Sequence, residues 1–161
     1  MEFYENDSFM NNCTGDLIKG LFSGNAEIVE TSLCSLLAKY VSIRDFSTRA
    51  PKENYYHGFM NGLLISCGSL IEDHQSNMES GNGYADMILL SKDKTDIAVL
   101  ELKIAAGELD DRVSIAEKAV EQIIDKKYAG RFIENKTIKS VHVYGICFYQ
   151  KVCSVSVEKL K

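Results

Sequence analysis

A glutamate and a lysine interrupt an apolar stretch in the middle of this chain. Glu101 and Lys103 lie within residues 97–104, where every other residue is Ile, Ala, Val or Leu. Such a run predicts a β-strand that is covered on both faces. Because side chains alternate along a strand, Glu101 and Lys103 point the same way, roughly 7 Å apart along the backbone. Both charges need partners, since burying an unpaired charge is costly.

A second apolar strand, predicted over residues 84–90, offers an acidic neighbour. Asp86 lies near its start, 15 positions before Glu101. An aspartate followed at this distance by Glu-x-Lys is typical of a metal-dependent phosphodiesterase site. Mg²⁺ prefers oxygen ligands and often takes only one or two carboxylates from a protein. We therefore expect Asp86 and Glu101 to hold Mg²⁺ or Mn²⁺, and Lys103 to orient the attacking water or stabilise the developing negative charge.

A helix predicted over residues 110–128 follows these strands and carries an apolar stripe at helical spacing. Lys118, Gln122 and Lys126 form a separate row on it, because they are spaced four residues apart. Gln122 stands among apolar neighbours, so we expect it to reach over the sheet and hydrogen-bond water or substrate. Lys126 is a candidate substrate-binding residue.

Another helix is predicted over residues 53–67, before the strands. Glu53 at its start could add a third carboxylate to the site, or it could simply favour the helix dipole. His57, one turn further, is a candidate substrate contact, although a histidine in this position is more often a core or capping residue.

The only proline, Pro51, divides the chain into two predicted parts. Residues 1–50 form an N-terminal helical segment or cap, with helices expected over 15–22 and 25–41. Residues 51–161 form the main domain, in which a helix is followed by three strands, a helix and two strands. The strands are predicted at 70–78, 84–90, 97–104, 141–149 and 152–157. This order predicts an α/β fold with a mixed central sheet flanked by helices.

Composition limits the classes of function. The formal net charge of −5 disfavours strong nonspecific binding to nucleic acid. It is compatible with a nuclease, because a divalent metal neutralises clustered carboxylates and a basic patch from Lys126 to Lys139 can face a phosphate. The chain has no apolar run long enough for a membrane span, and its start is acidic, unlike a signal peptide. We expect a cytoplasmic protein without a membrane partner.

The five cysteines are scattered through apolar segments, and no two have C-x-x-C spacing. This pattern argues against structural zinc and against a disulfide framework. We interpret the cysteines as small buried hydrophobic residues.

Five segments of the chain together resemble the PD-(D/E)XK nuclease superfamily, in the branch usually found after an AAA-ATPase-like domain. The resemblance covers roughly residues 53–153. The matching segments are ENYYHGF at 53–59, ESGNGYAD at 79–86, LELK at 100–103, EQIIDKKYA at 121–129 and YGICFY at 144–149. Glu-x-Lys after a strand is a weak signal by itself, whereas five segments in the right order are a strong one. Ala85 stands where the family name has proline, which leaves the carboxylate of Asp86 in place.

The resemblance implies a restriction-endonuclease-like core in the order α-β-β-β-α-β. It implies that Asp86 and Glu101 are metal ligands, that Lys103 is the catalytic lysine, that Gln122 completes the site and that Glu53 is the carboxylate of the first helix. The expected activity is Mg²⁺- or Mn²⁺-dependent hydrolysis of phosphodiester bonds in DNA. An AAA-ATPase-like partner or domain is a further expectation. A homodimer is plausible, because cutting two strands benefits from two sites.

Two alternatives belong to other classes of function. In the first, the nuclease fold is kept as a catalytically silent binding module that serves a protein or nucleic-acid partner. In the second, Asp86, Glu101 and Lys103 form an inert salt-bridge network in a structural domain. Metal-dependent stabilisation and metal-dependent cleavage separate these alternatives from an enzyme.

Overall fold

The computed structural model describes residues 2–42, 44, 52–80 and 83–161. Its helices are α1 (Glu2–Ser23), α2 (Ala26–Tyr40), α3 (Lys52–Ser66), α4 (Arg112–Asp125) and α5 (Gly130–Ile133). Its strands are β1 (Ile71–Ser80), β2 (Gly83–Ser91), β3 (Asp96–Ile104), β4 (Ser140–Tyr149) and β5 (Val152–Lys159). Pro51 lies outside the described residues, as do the two central residues of the turn between β1 and β2.

The five strands form one sheet in the order β1-β2-β3-β4-β5. Neighbouring strands are antiparallel except β3 and β4, which are parallel and are connected through α4. A parallel pair needs such a crossover, because its strands cannot be joined by a tight turn. The predicted α/β fold, with a mixed central sheet and the order α-β-β-β-α-β from α3 to β4, is confirmed, and the four-residue helix α5 is an addition between α4 and β4.

Helix α1 is much longer than the predicted 15–22, since it begins at Glu2. Its first half is mostly polar, but Phe9, Met10 and Cys13 continue the helical spacing and lie against the core. Neither α1 nor any other described helix has an apolar stretch sufficient to cross a membrane.

Helix α2 starts where Asn25 Oδ1 accepts the Ile28 N–H at 3.0 Å, a typical N-cap. The division of the chain at residue 50 stays a prediction.

The two faces of the sheet are covered by different helices. Helices α1, α2 and α3 contribute to one apolar cluster with side chains such as Leu100, Leu102 and Phe148. Tyr144 ties α1 to this face by donating its hydroxyl to the Gly20 carbonyl at 2.8 Å. Helix α4 covers the other face, where Val120 and Ile123 pack against β3 and β4. The sheet is therefore the middle of three layers.

Helix α4 is shorter than the predicted 110–128, because the chain turns sharply after Asp125. Lys127 adopts a φ of 58°. The Lys127 N–H then bonds to the Ile124 carbonyl at 3.0 Å and the Tyr128 N–H to the Ile123 carbonyl at 3.1 Å. This pair of bonds is a Schellman motif, which satisfies the last carbonyls of a helix. Lys126 therefore stands at the very end of α4.

The cysteine prediction is correct for Cys67, Cys147 and Cys153, which are buried. It is wrong for Cys13 and Cys34, which are only half-buried. Both lie on the two N-terminal helices and pack against the margin of the apolar cluster rather than inside it.

Candidate active site

Strands β2 and β3 separate at the position where the acidic residues stand. The paired stretch between them ends at Met87 and Leu100, and the described residues form no further pair beyond it. The next residues are Asp86 on β2 and Glu101 on β3. In place of a backbone bond, Asp86 Oδ2 accepts the N–H of Leu102 at 2.7 Å. This side-chain bond satisfies a β3 donor and holds the Asp86 carboxylate beside Glu101.

Glu101 is buried, with 5% of its surface exposed. Its Oε1 accepts hydrogen bonds from Lys103 Nζ at 2.9 Å and from Gln122 Nε2 at 2.6 Å. Its Oε2 is buried as well and has no hydrogen-bond partner among the described residues. Buried polar atoms are normally paired, so this orphaned oxygen indicates a place for a cationic or hydrogen-bonding ligand.

Gln122 reaches Glu101 because α4 lies unusually close to β4. Gly145 is opposite Glu101 in the parallel ladder. A Cβ atom at Gly145 would lie 1.9 Å from the Ala116 carbonyl oxygen and 2.8 Å from the Ala119 Cβ. Only glycine permits this approach of helix backbone to strand backbone. One helical turn beyond Ala119, the Gln122 amide then comes within hydrogen-bond distance of the site.

Burial raises the pKa of both carboxyl groups. For Glu101, burial is the largest cause, the charge of Asp86 adds to it, and the bonds from Lys103 and Gln122 oppose it. For Asp86, burial raises the pKa and the hydrogen bond from Leu102 opposes the rise. Two desolvated carboxylates thus stand together with one ammonium group, which leaves an excess of negative charge when both are ionised.

These residues fit a hard divalent cation. Carboxylate oxygens are its preferred ligands, the orphaned Glu101 Oε2 lacks a partner, and a positive charge would offset the repulsion between Asp86 and Glu101. Within the described ranges, no three His, Cys, Asp or Glu side chains cluster as metal ligands. Two protein carboxylates are nonetheless enough for Mg²⁺, which keeps several waters and binds substrate oxygens.

The remaining predicted site residues lie further out. Glu53 is exposed at the start of α3. Weaker electrostatic effects on the pKa of Asp86 come from His57 and Lys103, which lower it, and from Glu53, which raises it. Lys126 is exposed at the end of α4, without a described contact to the carboxylates. The structure thus brings together Asp86, Glu101, Lys103 and Gln122, with Glu53 and His57 nearby and Lys126 apart.

Two neighbours of His57 were missed in the sequence. Asn61 Nδ2 lies 3.1 Å from His57 Nδ1, and Ser76 Oγ on β1 lies 3.3 Å from His57 Nε2. The spacing of His57 and Asn61, four residues apart on one helix, was a usable signal. The contact with Ser76 had none, since it depends on how α3 lies against β1. The two bonds fix the ring that was predicted to contact substrate.

Comparison with known proteins agrees with this geometry. The family model of the PD-(D/E)XK nuclease superfamily matches residues 51–158. This match covers more than half of the chain and includes α3, β1 to β4, α4 and all of β5 except Lys159. No curated protein matches the chain significantly. The match includes the strand pair, the carboxylates and the helix just described, and the chain belongs to the PD-(D/E)XK nuclease superfamily.

Proposed function

We propose that this nuclease-family protein hydrolyses phosphodiester bonds of DNA in a reaction that depends on Mg²⁺ or Mn²⁺. The observation that carries the proposal is the convergence of Asp86 and Glu101, with Glu101 Oε2 buried and without a described partner. An inert salt-bridge network would leave no such atom, because burial of an unpaired carboxylate oxygen destabilises a fold.

Asp86 and Glu101 are the proposed ligands of the cation. When bound, Mg²⁺ or Mn²⁺ supplies positive charge that offsets the two carboxylates and polarises the phosphate under attack. The Leu102 N–H orients the Asp86 carboxylate, and Gln122 orients that of Glu101. These hydrogen bonds to the ligands keep their oxygens in place before the cation arrives.

Lys103 is the proposed catalytic lysine. Its ammonium group is held by Glu101 Oε1 at 2.9 Å, and about a third of its side chain, 34%, is exposed. It therefore lies on the open side of the pair, where a substrate phosphate arrives. There it orients the attacking water or stabilises the negative charge that develops on the phosphate. We propose supporting roles for Glu53 and substrate contacts for His57 and Lys126.

A cleft on the same face of the sheet is the proposed groove for a nucleic-acid substrate. It lies toward the end of β2 away from Asp86, and none of Asp86, Glu101, Lys103 and Gln122 lines it. Its volume is about 540 Å³, and its lining includes Ile88 and Leu90, which follow Asp86 on the same face of β2. The Arg131 guanidinium lies 4.6 Å from the centre of the Phe132 ring at the edge of this cleft. Arginine and aromatic side chains in a groove are typical contacts for phosphates and bases.

The test is nicking of supercoiled plasmid DNA with Mn²⁺, with Mg²⁺ and with EDTA. We expect the wild type to nick only with a divalent cation, and Asp86→Ala and Lys103→Ala to be inactive. Asp93→Ala is the matched control, because Asp93 lies in the exposed turn before β3. If Asp86→Ala nicks as fast as the wild type, the assigned site is wrong.

Thermal melting with Mn²⁺ separates the alternatives. A ligand that binds only the folded state stabilises it by about 2.7 kcal/mol at 100 times its dissociation constant. Stabilisation of the wild type without nicking would favour the silent binding module. No stabilisation at all would favour the inert network.

Two partners and one location remain proposals from the sequence. The partners are an AAA-ATPase-like protein and a second copy of the chain, and the location is the cytoplasm. Sedimentation of the purified protein with and without plasmid DNA measures whether the second copy binds.

A further inference from the structure

Two cysteines meet at the contact between α2 and β5, on the face of the sheet opposite the carboxylates. Cys34 Sγ lies 3.8 Å from Cys153 Sγ, although the two residues are 119 positions apart. The Cys153 N–H donates to Cys34 Sγ at 3.4 Å, which directs the sulfur of Cys34 toward β5. This pair has no part in the proposed nuclease site.

The two thiols differ in their surroundings. Cys153 is 4% exposed, whereas Cys34 is half-buried and lines an open cleft of about 500 Å³ together with Thr31, Ser35 and Lys151. The hydrogen bond from Cys153 lowers the pKa of Cys34 to about 6, and the same bond together with burial raises that of Cys153. Cys34 is thus the accessible nucleophile, and Cys153 lies behind it.

The elements that carry the pair are held in this arrangement by other contacts. Glu30, one turn before Cys34 on α2, accepts the Val155 N–H on its Oε2 at 2.9 Å. Lys151 Nζ approaches the Ala38 carbonyl at 3.4 Å on the other side of the pair. The sulfurs are therefore near each other because the backbones are docked. A disulfide needs an S–S distance of about 2.05 Å, so the two sulfurs, 3.8 Å apart in the reduced protein, move closer when the bond forms.

We propose that Cys34 and Cys153 form a redox-active dithiol, which a low-molecular-weight disulfide such as glutathione disulfide converts into an intramolecular bond between α2 and β5. The cleft beside Cys34 is open to a small disulfide. It is lined by one cation, Lys151, which attracts the carboxylates of glutathione, and by one anion, Glu30, which attracts its ammonium group.

The reaction balances in two exchanges. The Cys34 thiolate attacks one sulfur of glutathione disulfide, whose S–S bond breaks, so that a mixed disulfide forms and one glutathione thiolate leaves. Cys153 then loses its proton to solvent and attacks the Cys34 sulfur, which releases the second glutathione. The two protein thiols are oxidised by two electrons in total, and one small disulfide is reduced to two thiols.

The experiment titrates the folded, reduced full-length chain with glutathione disulfide and glutathione at neutral pH. After the free thiols are blocked by alkylation, mass spectrometry is expected to show the loss of two hydrogen atoms. A peptide cross-linked through Cys34 and Cys153 is expected after digestion. The bond closes a long loop, so the melting temperature should rise by about 5–15 °C and return on reduction.

Three variants make the test specific. Cys153→Ser should stop at a mixed disulfide with glutathione on Cys34, whereas Cys34→Ser should take up no glutathione near β5. Cys13→Ser, which removes the other half-buried cysteine, should oxidise like the wild type. A wild type that keeps a stable mixed disulfide on Cys34, or that bridges another cysteine pair, overturns the proposal. If a variant does not fold, alkylation of the reduced wild type decides. Cys34, which lines the open cleft, should be alkylated before the buried Cys153, and the reverse order overturns the proposal.

Discussion

The two faces of strand β3 are covered by different helices and carry different side chains. Toward α1, α2 and α3 it presents Ala98, Leu100 and Leu102, all buried in one apolar cluster. Toward α4, the apolar residues Ile97 and Val99 are followed at the end of the strand by Glu101 and Lys103. The comparison shows that charged groups are tolerated on one face while the opposite face holds the strand in place by burial of apolar surface.

The charged face also differs in how its helix approaches. On the α1–α3 face, large side chains such as Tyr56 and Phe148 fill the space, with their rings stacked 4.5 Å apart. On the α4 face, Gly145, Ala116 and Ala119 let the backbones come close. Small residues next to the carboxylates bring a polar helix side chain to them, and large residues behind them stabilise the fold.

The largest differences between the two faces of β3 are expected from substitutions of the neighbouring residues Leu102 and Lys103, which lie on opposite faces. Leu102→Ala is expected to lower the free energy of unfolding by about 2–5 kcal/mol, since it leaves a cavity in the core, and to leave the activity per folded molecule nearly unchanged. Lys103→Met is expected to lower the cleavage rate roughly 10²–10³-fold, with a smaller loss of stability. Urea denaturation and plasmid nicking measure the two effects. An active Lys103→Met protein would contradict the division between the faces.

Gly145→Ala tests the close approach of α4. The added methyl group meets the Ala116 carbonyl, so the helix must move, and we expect a loss of about 1–3 kcal/mol or more. Gly62→Ala on α3 is the control, because its Cβ would meet nothing within 4 Å. That variant should be as stable as the wild type or slightly more stable. Thermal melting of both proteins distinguishes them.

Gln122→Ala tests whether the α4 side chain positions Glu101. Loss of an outer hydrogen bond to a metal ligand typically lowers metal affinity or activity about 10–100-fold. We expect a shift of the Mn²⁺ concentration at half-maximal nicking in this range. The neighbouring Glu121→Ala, which changes an exposed residue of the same helix, should not shift it. Equal Mn²⁺ curves for the wild type and Gln122→Ala would contradict the positioning role.

Asp86→Asn should change stability less than the substitutions above, and it should raise stability rather than lower it. The pKa of Asp86 is raised in the folded state, mainly by burial. A raised pKa means that stability is fully present at low pH and is lost as the pH rises through the folded-state value. At neutral pH without metal, the neutral Asn should therefore raise the melting temperature, by roughly 2–4 °C for each 1 kcal/mol relieved. The gain should vanish in acid, where the wild-type carboxyl is protonated.

Asp93→Asn is the matched control for the sign of this effect. Hydrogen bonds from Ser91 and Thr95 hold the pKa of Asp93 below its usual range. Stability from such a group is present above the unfolded-state pKa and is lost as the pH falls through the lowered value. Asp93→Asn should therefore lower the melting temperature at neutral pH. A rise for both variants would mean that net charge, rather than burial, controls the stability.

Much of the architecture was predictable because it depends on local periodicity. All five strands were predicted to within a few residues, because alternating and continuous apolar residues can be recognised within a short segment of sequence. The helix ends were less predictable. Residues 2–14 are too polar to show that α1 continues, and the left-handed turn at Lys127 that ends α4 has no glycine to mark it. In both places the tertiary surroundings decide the local structure.

The sequence by itself determined which side chains share a face: alternation put Glu101 with Lys103, and helical spacing put Gln122 off the apolar stripe. Only the tertiary structure decided that β2 leaves β3 at Asp86, that the Leu102 N–H donates to this carboxylate, and that Cys34 meets Cys153. The physical reason is distance along the chain. Periodicity controls neighbours within a strand or helix, whereas contacts between distant residues depend on how whole elements dock.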